Sequence, residues 1–266
     1  MESFILYALV AGIGVALLSG PLGCFLIWQR LAFFSDTLAH SALLGIGISL
    51  WFHLNPLWGI FLVTLIIAFL LTITRHKKIL IHDGFLNLLS TTSLSLGLIL
   101  ISVNPGVQSN LMTYLFGDIL TITFKDIILI YCMGGIFLTV IWIFWRPLLA
   151  VTVDPDLAVI HKIPIIKIRL LFMVMIAITI AVAIQIMGII LITALFIIPA
   201  MVARYFSSSP EKMVLLATLI GIFVVIGGLI LSFYLDWPAA PSMVLMATTF
   251  FAVGSISNYL NFKISA

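Results

Sequence analysis

Hydrophobic residues occupy this chain in long runs, and the short gaps between the runs carry nearly all of its charge. The runs fall at about 4–29, 36–52, 56–74, 85–103, 125–145, 167–186, 188–203, 213–235 and 240–260. Roughly 20 consecutive apolar residues cross the hydrocarbon of a bilayer as a helix. The pattern predicts an all-α membrane protein, a polytopic bundle of about nine transmembrane helices. The stretch from Lys167 to Arg204 is tight for two crossings, because about 38 residues at about 1.5 Å each leave almost nothing for a turn. Gly188 is the expected break, and eight full spans plus a half-span satisfy the same pattern.

Composition excludes a soluble globule: of 266 residues, 64% are hydrophobic and only 8% charged, against about 25% charged in soluble domains. Met1–Ser3 carries Glu2 and no basic segment, so the first run is expected to be a span and not a cleavable signal. Cys24 and Cys132 lie in different runs with no CxxC, which supports neither a disulfide framework nor a structural zinc site.

The net charge of +3 is explained by topology and requires no nucleic-acid partner. If the loop bearing Arg75, Lys77 and Lys78 is cytoplasmic and nine spans alternate, every basic residue but Lys125 faces inward. That is a strong positive-inside bias. It puts the amino terminus outside and the carboxyl terminus in the cytoplasm.

Against this apolar background Asp36 and His40 stand out. Four residues apart, they share one helix face. With Arg30 at the membrane edge, they lie roughly 9 Å and roughly 15 Å into the bilayer. Ionisable groups there cost roughly 2.5–3.5 kcal/mol each and mark pathways or binding sites. Carboxylate with imidazole suits zinc and other borderline divalent ions. Both bind metal best when deprotonated, so occupancy is expected to fall on acidification. A buried hydrogen-bonded pair between helices is the plainer reading of the same spacing.

Other polar features are weaker. Asp118 lies in an outer segment, 104–124, where Gly117 breaks a short helix; it is either a cation-attracting group at an entrance or a solvated carboxylate. His53 and Asn55 sit at an outer helix end, and His82 and Asp83 at an inner helix start. In the inner loop 147–166, Asp154-Pro155 is a helix start, with Asp as N-cap and Pro in the first helical position. Residues 156–161 then give about two turns, with Pro164 as the expected stop. This is either an interfacial connector or a docking helix for a cytoplasmic partner. No GxxxxGK[ST], HExxH or GxSxG occurs, so neither ATP hydrolysis nor peptide hydrolysis is assembled here.

Several blocks resemble the permeases of zinc and manganese ATP-binding-cassette importers. They are Leu31-Ala-Phe-Phe-Ser-Asp36-Thr-Leu-Ala-His40-Ser-Ala-Leu-Leu-Gly45, Tyr114-Leu-Phe-Gly117-Asp118-Ile-Leu and Asp154-Pro-Asp-Leu-Ala158, followed by the run from Gly188 through Pro199 to Arg204, then Asp236-Trp-Pro238-Ala-Ala-Pro241. The blocks occur in family order over essentially the whole chain. Gly20-Pro21-Leu22-Gly23, Asp36-Thr-Leu-Ala-His40 and Leu115-Phe-Gly-Asp118 are most similar to the bacterial zinc-uptake members.

The resemblance implies a permease fold of the vitamin B12-importer type, one transmembrane domain over 1–266, in the bacterial cytoplasmic (inner) membrane. It implies a homodimer among membrane lipid, a cytoplasmic ATPase dimer and an extracytoplasmic metal-binding protein. Zn2+, or alternatively Mn2+ or iron, would be cargo, with no permanently bound cofactor. Metal coordination falls on Asp36 and His40. One pair gives two ligands, and a symmetry mate across a two-fold axis would make four. Residues 154–163 become the coupling helix, with Asp154, Pro155, Asp156, Leu157, Ala158 and His161 toward the ATPase. Lys162 stands where the family usually has a helix-ending Gly, and Ala240 where it has a Gly before Pro241. A proton-coupled secondary carrier using Asp36 and His40 is the competing reading.

Overall fold

The apolar runs fold as expected into helices. The computed structural model describes residues 2–76, 83–103, 111–117 and 122–265. In chain order the helices are α1 (Glu2–Trp28), α2 (Ala32–Trp51), α3 (Pro56–His76), α4 (Asp83–Ser102), α5 (Leu111–Phe116), α6 (Phe124–Ile143), α7 (Trp145–Val153), α8 (Pro155–Ile160), α9 (Ile165–Phe206), α10 (Pro210–Leu235) and α11 (Ala239–Ser265). Among the described residues, eight are long and apolar enough to cross a membrane. Pro56, Pro155 and Pro210 each open a helix, where the missing N–H has no partner to lose.

The nine runs become eight helices because the sixth and seventh are joined in the 42-residue α9. Gly188 interrupts it with φ 73° and ψ 167°, a backbone region open essentially to glycine alone. The expected break is therefore present. It divides α9 into arms over 165–187 and 189–206, about 35 Å and about 27 Å long at about 1.5 Å per residue.

The chain forms two compact units, each assembled from separated segments. One contains residues 1–27, 116–134 and 186–266. Its core includes the fully buried Leu18, Leu22, Phe25, Phe196 and Val224, and the Tyr131 hydroxyl donates to the Val10 carbonyl at 3.0 Å. Gly117, with φ 77°, ends α5 as the sequence predicts. A Cβ there would lie 2.5 Å from the Met187 carbonyl carbon, so this backbone lies against the break in α9.

The other unit contains residues 28–115 and 135–185, in which α2 packs on both α3 and α4. Residues 147–166 hold more helix than their sequence predicts. Helix α7 buries Leu148 and Val151, and Pro147 sits in its first turn, where no N–H is needed.

The start of α8 is as expected: the Asp154 carboxylate accepts from the amides of Asp156 and Leu157, both at 3.0 Å. Its end is not. The Lys162 amide donates to Val159 O at 2.9 Å and the Ile163 amide to Ala158 O at 3.0 Å, around a left-handed Lys162 with φ 58°. This is a Schellman motif. The helix therefore stops before Pro164, and Lys162 adopts the conformation that glycine would take more easily. Replacing Lys162 with Gly removes a left-handed penalty of about 1–2 kcal/mol, partly offset by the freer unfolded chain. A net gain of about 0.5–1 kcal/mol is expected, measurable as slower hydrogen exchange at the Ile163 amide. The turn before α11 uses Asp236 as its left-handed residue, φ 52°, so Ala240 is simply helical and buried.

Candidate metal site on α2 and α4

Helix α2 buries most of its length: Phe34, Leu38, Leu43 and Ile46 are fully enclosed. The face of α4 that meets it reads Leu86, Ser90, Ser93, Gly97 and Ile101, a stripe at helical spacing. Leu88, Leu96 and Ile99 are exposed on its other side. Three of the five residues on that face, Ser90, Ser93 and Gly97, are small, as is common where membrane helices pack closely. A Cβ at Gly97 would come within 2.7 Å of the Leu44 amide nitrogen, so the two backbones approach closely.

Polar rungs cross this interface. The Thr37 hydroxyl lies between two acceptors, Phe33 O at 2.8 Å in its own helix and Leu86 O of α4 at 3.1 Å; Ser41 Oγ donates to Thr37 O at 2.6 Å and lies 3.5 Å from Ser93 Oγ. Between them lies the expected pair. His40 Nδ1 is 3.6 Å from Asp36 Oδ2. Ser90 of α4 bridges the two, its Oγ donating to Asp36 Oδ2 at 2.9 Å and lying 2.7 Å from His40 Nδ1. Ser90 is buried, whereas Asp36 and His40 remain 35% and 23% exposed. The chain thus presents one carboxylate and one imidazole at a partly open surface. Among the described residues no third His, Cys, Asp or Glu joins them.

The other sequence-predicted residues lie apart from this pair in the chain. On α8, Asp154 is the N-cap, Pro155 opens the helix, Asp156 lies in its first turn, and Ala158 is buried. Leu157, Val159 and Ile160 are exposed, as is His161 at the C-cap. A groove of about 540 Å³ runs beside them, lined by Val159, Lys162, Ile163, Pro164 and Ile166. Asp83 occupies the first turn of α4, where the helix dipole favours a carboxylate. Asp118, the candidate entrance residue, and His82 lie outside the described residues.

The model of one family, the ABC 3 transport family, matches residues 1–258. The chain belongs to the ABC 3 transport family. Among ABC 3 relatives, the high-affinity zinc uptake system membrane protein ZnuB of Haemophilus influenzae is 38% identical over 246 residues, covering 92% of this chain and 94% of that one. The manganese transport system membrane protein MntC of Halalkalibacterium halodurans is 30% identical, covering 94% of this chain and 86% of that one. A solved structure, PsaBC from Streptococcus pneumoniae in complex with Fab, superposes with a TM-score of 0.83 at 30% identity, over 94% of this chain and 90% of that one. The expected family and helical fold are thus both found, and the chain is a multi-pass membrane protein.

For this ABC 3 chain the sequence pointed to Asp36 and His40 but not to Ser90. The signal was present in Ser90, Ser93 and Gly97, three small residues at helical spacing on one face of α4. It has no meaning until α4 is known to lie against α2.

Proposed function

We propose that this chain is the transmembrane permease of an ATP-driven importer that carries zinc into the cytoplasm by alternating access. The observation that carries the reading is the Asp36/His40 pair, adjacent on one helix face and partly open, in a chain 38% identical to a zinc uptake membrane protein. Ionisable groups at this depth are costly, and these two offer an oxygen and a nitrogen donor of the kind zinc accepts. A second copy across a two-fold axis completes a set of two Asp and two His. Transport also requires release, which a weaker or transient site serves better than a structural cage.

The whole chain, 1–266, acts as one permease domain, in the bacterial inner membrane. The basic residues favour an outer amino terminus and a cytoplasmic carboxyl terminus, with the two arms of α9 counted as separate crossings. An extracytoplasmic binding protein delivers the ion, and a cytoplasmic ATPase dimer supplies the energy. Helix α8 is the docking element, because exposed Leu157, Val159 and Ile160 give a two-turn helix an apolar surface for a partner. Replacing Ile160 with Asp is expected to leave the permease in the membrane while co-purification of the ATPase falls by about tenfold or more, the loss of a buried interface contact of at least about 1.4 kcal/mol. Manganese is the second reading, favoured by the 30% identity to a manganese transport membrane protein.

The test uses vesicles containing the purified permease with its ATPase and binding protein. Zinc uptake that requires internal or external ATP on the ATPase side supports the proposal. Uptake by the permease alone, driven by a pH gradient, would replace it with a proton-coupled carrier.

A further inference from the structure

We propose that Ser90 is a positioning residue that selects which atoms of Asp36 and His40 meet the ion, and that it thereby favours zinc over manganese. The inference rests on the reading of that pair as ion ligands. Ser90 Oγ contacts both Asp36 Oδ2, at 2.9 Å, and His40 Nδ1, at 2.7 Å. A hydroxyl carries a single proton, and a carboxylate carries none. The Ser90 proton therefore goes to Oδ2, and the second contact runs from His40 Nδ1–H to the serine oxygen. Neutral His40 then keeps its proton on Nδ1 and leaves the Nε2 lone pair free, the way an outer hydrogen bond fixes the tautomer of a ligating imidazole.

The same contact takes up part of the lone-pair capacity of Oδ2, so among the described residues Oδ1 is the less engaged oxygen of Asp36. Each chain then offers one oxygen and one nitrogen, and two copies offer four donors. Four is the number zinc takes. Manganese takes more ligands, oxygen-rich and octahedral, and gains from a carboxylate free to bind through both oxygens. Ser90 holds this arrangement because it is only 2% exposed, and because the Thr37–Leu86 rung beside it and the close approach at Gly97 keep α4 in register with α2.

Equilibrium dialysis of the purified permease–ATPase complex against zinc or manganese tests this, with wild type, Ser90→Ala, Ser90→Thr and His40→Ala compared. Ser90→Ala is expected to weaken zinc binding about tenfold, the usual cost of losing an outer partner, and to weaken manganese binding less. Ser90→Thr, which keeps the hydroxyl, is expected to restore the zinc-to-manganese ratio. An unchanged ratio in Ser90→Ala, including equal loss of both ions, overturns the proposal. If Ser90→Ala fails to reach the membrane, Ser90→Cys, of similar size but a weak donor, is measured under the same expectations. Zinc binding that survives intact in His40→Ala is a different failure, since it removes the reading of the pair itself.

Discussion

Cells that depend on this chain are expected to stop growing in zinc-depleted medium when either Asp36 or His40 is replaced by Ala, and to recover when zinc is added back. Each substitution removes one donor per chain, and so two of the four in the proposed dimer site. Two donors, one from each chain, are too few for tetrahedral zinc, so affinity should fall by more than the about 10–100-fold that follows loss of an outer partner. Asp36→Asn separates charge from shape. It can still accept from Ser90 but offers no anionic oxygen, and it should behave like Asp36→Ala. Rescue by manganese in place of zinc would reassign the cargo and leave the site intact. Normal growth of both alanine variants, with the protein present in the membrane, would remove the site.

Replacing Gly188 with Val is the second large effect expected. At φ 73° and ψ 167° a side chain with a Cβ is strained by about 1–3 kcal/mol, and a β-branched one is the hardest to place. The chain escapes only by turning the residue helical, which would straighten α9 across 165–206 and move Met187 and Gly188 from their contact with Gly117. Reduced accumulation, a lower melting temperature in detergent and loss of zinc uptake are expected together. A Gly188→Val protein with wild-type melting temperature and uptake would show that the break does not matter.

Much of this was legible in the sequence because it is set locally. The spans follow from the length of apolar runs, and the α9 break follows from a glycine in a stretch too short for a turn. The shared face of Asp36 and His40 follows from helical period, and the Asp154 cap from a side chain reaching its own helix. What escaped depends on distant parts of the chain or on competition between local signals. Helix α7 forms because Leu148 and Val151 find a buried face, which overrides the loop reading of Pro147. The sequence puts the end of α8 at Pro164, but the Schellman hydrogen bonds close before it, tolerating Lys162 in a conformation it dislikes. Ser90 acquires its role only through the register of α4 against α2.

The openness of Asp36, about a third of its surface in the single chain, has a consequence for biogenesis. If the proposed two-fold dimer covers this site, a freshly inserted copy without a mate would expose a carboxylate within the bilayer, at a cost of roughly 2.5–3.5 kcal/mol. Penalties of this size shift steady-state levels several-fold, so such a surplus copy would be open to clearance. Cellular abundance should consequently follow how fast newborn chains find each other, and overproduction beyond that pace should yield turnover in place of additional transporter.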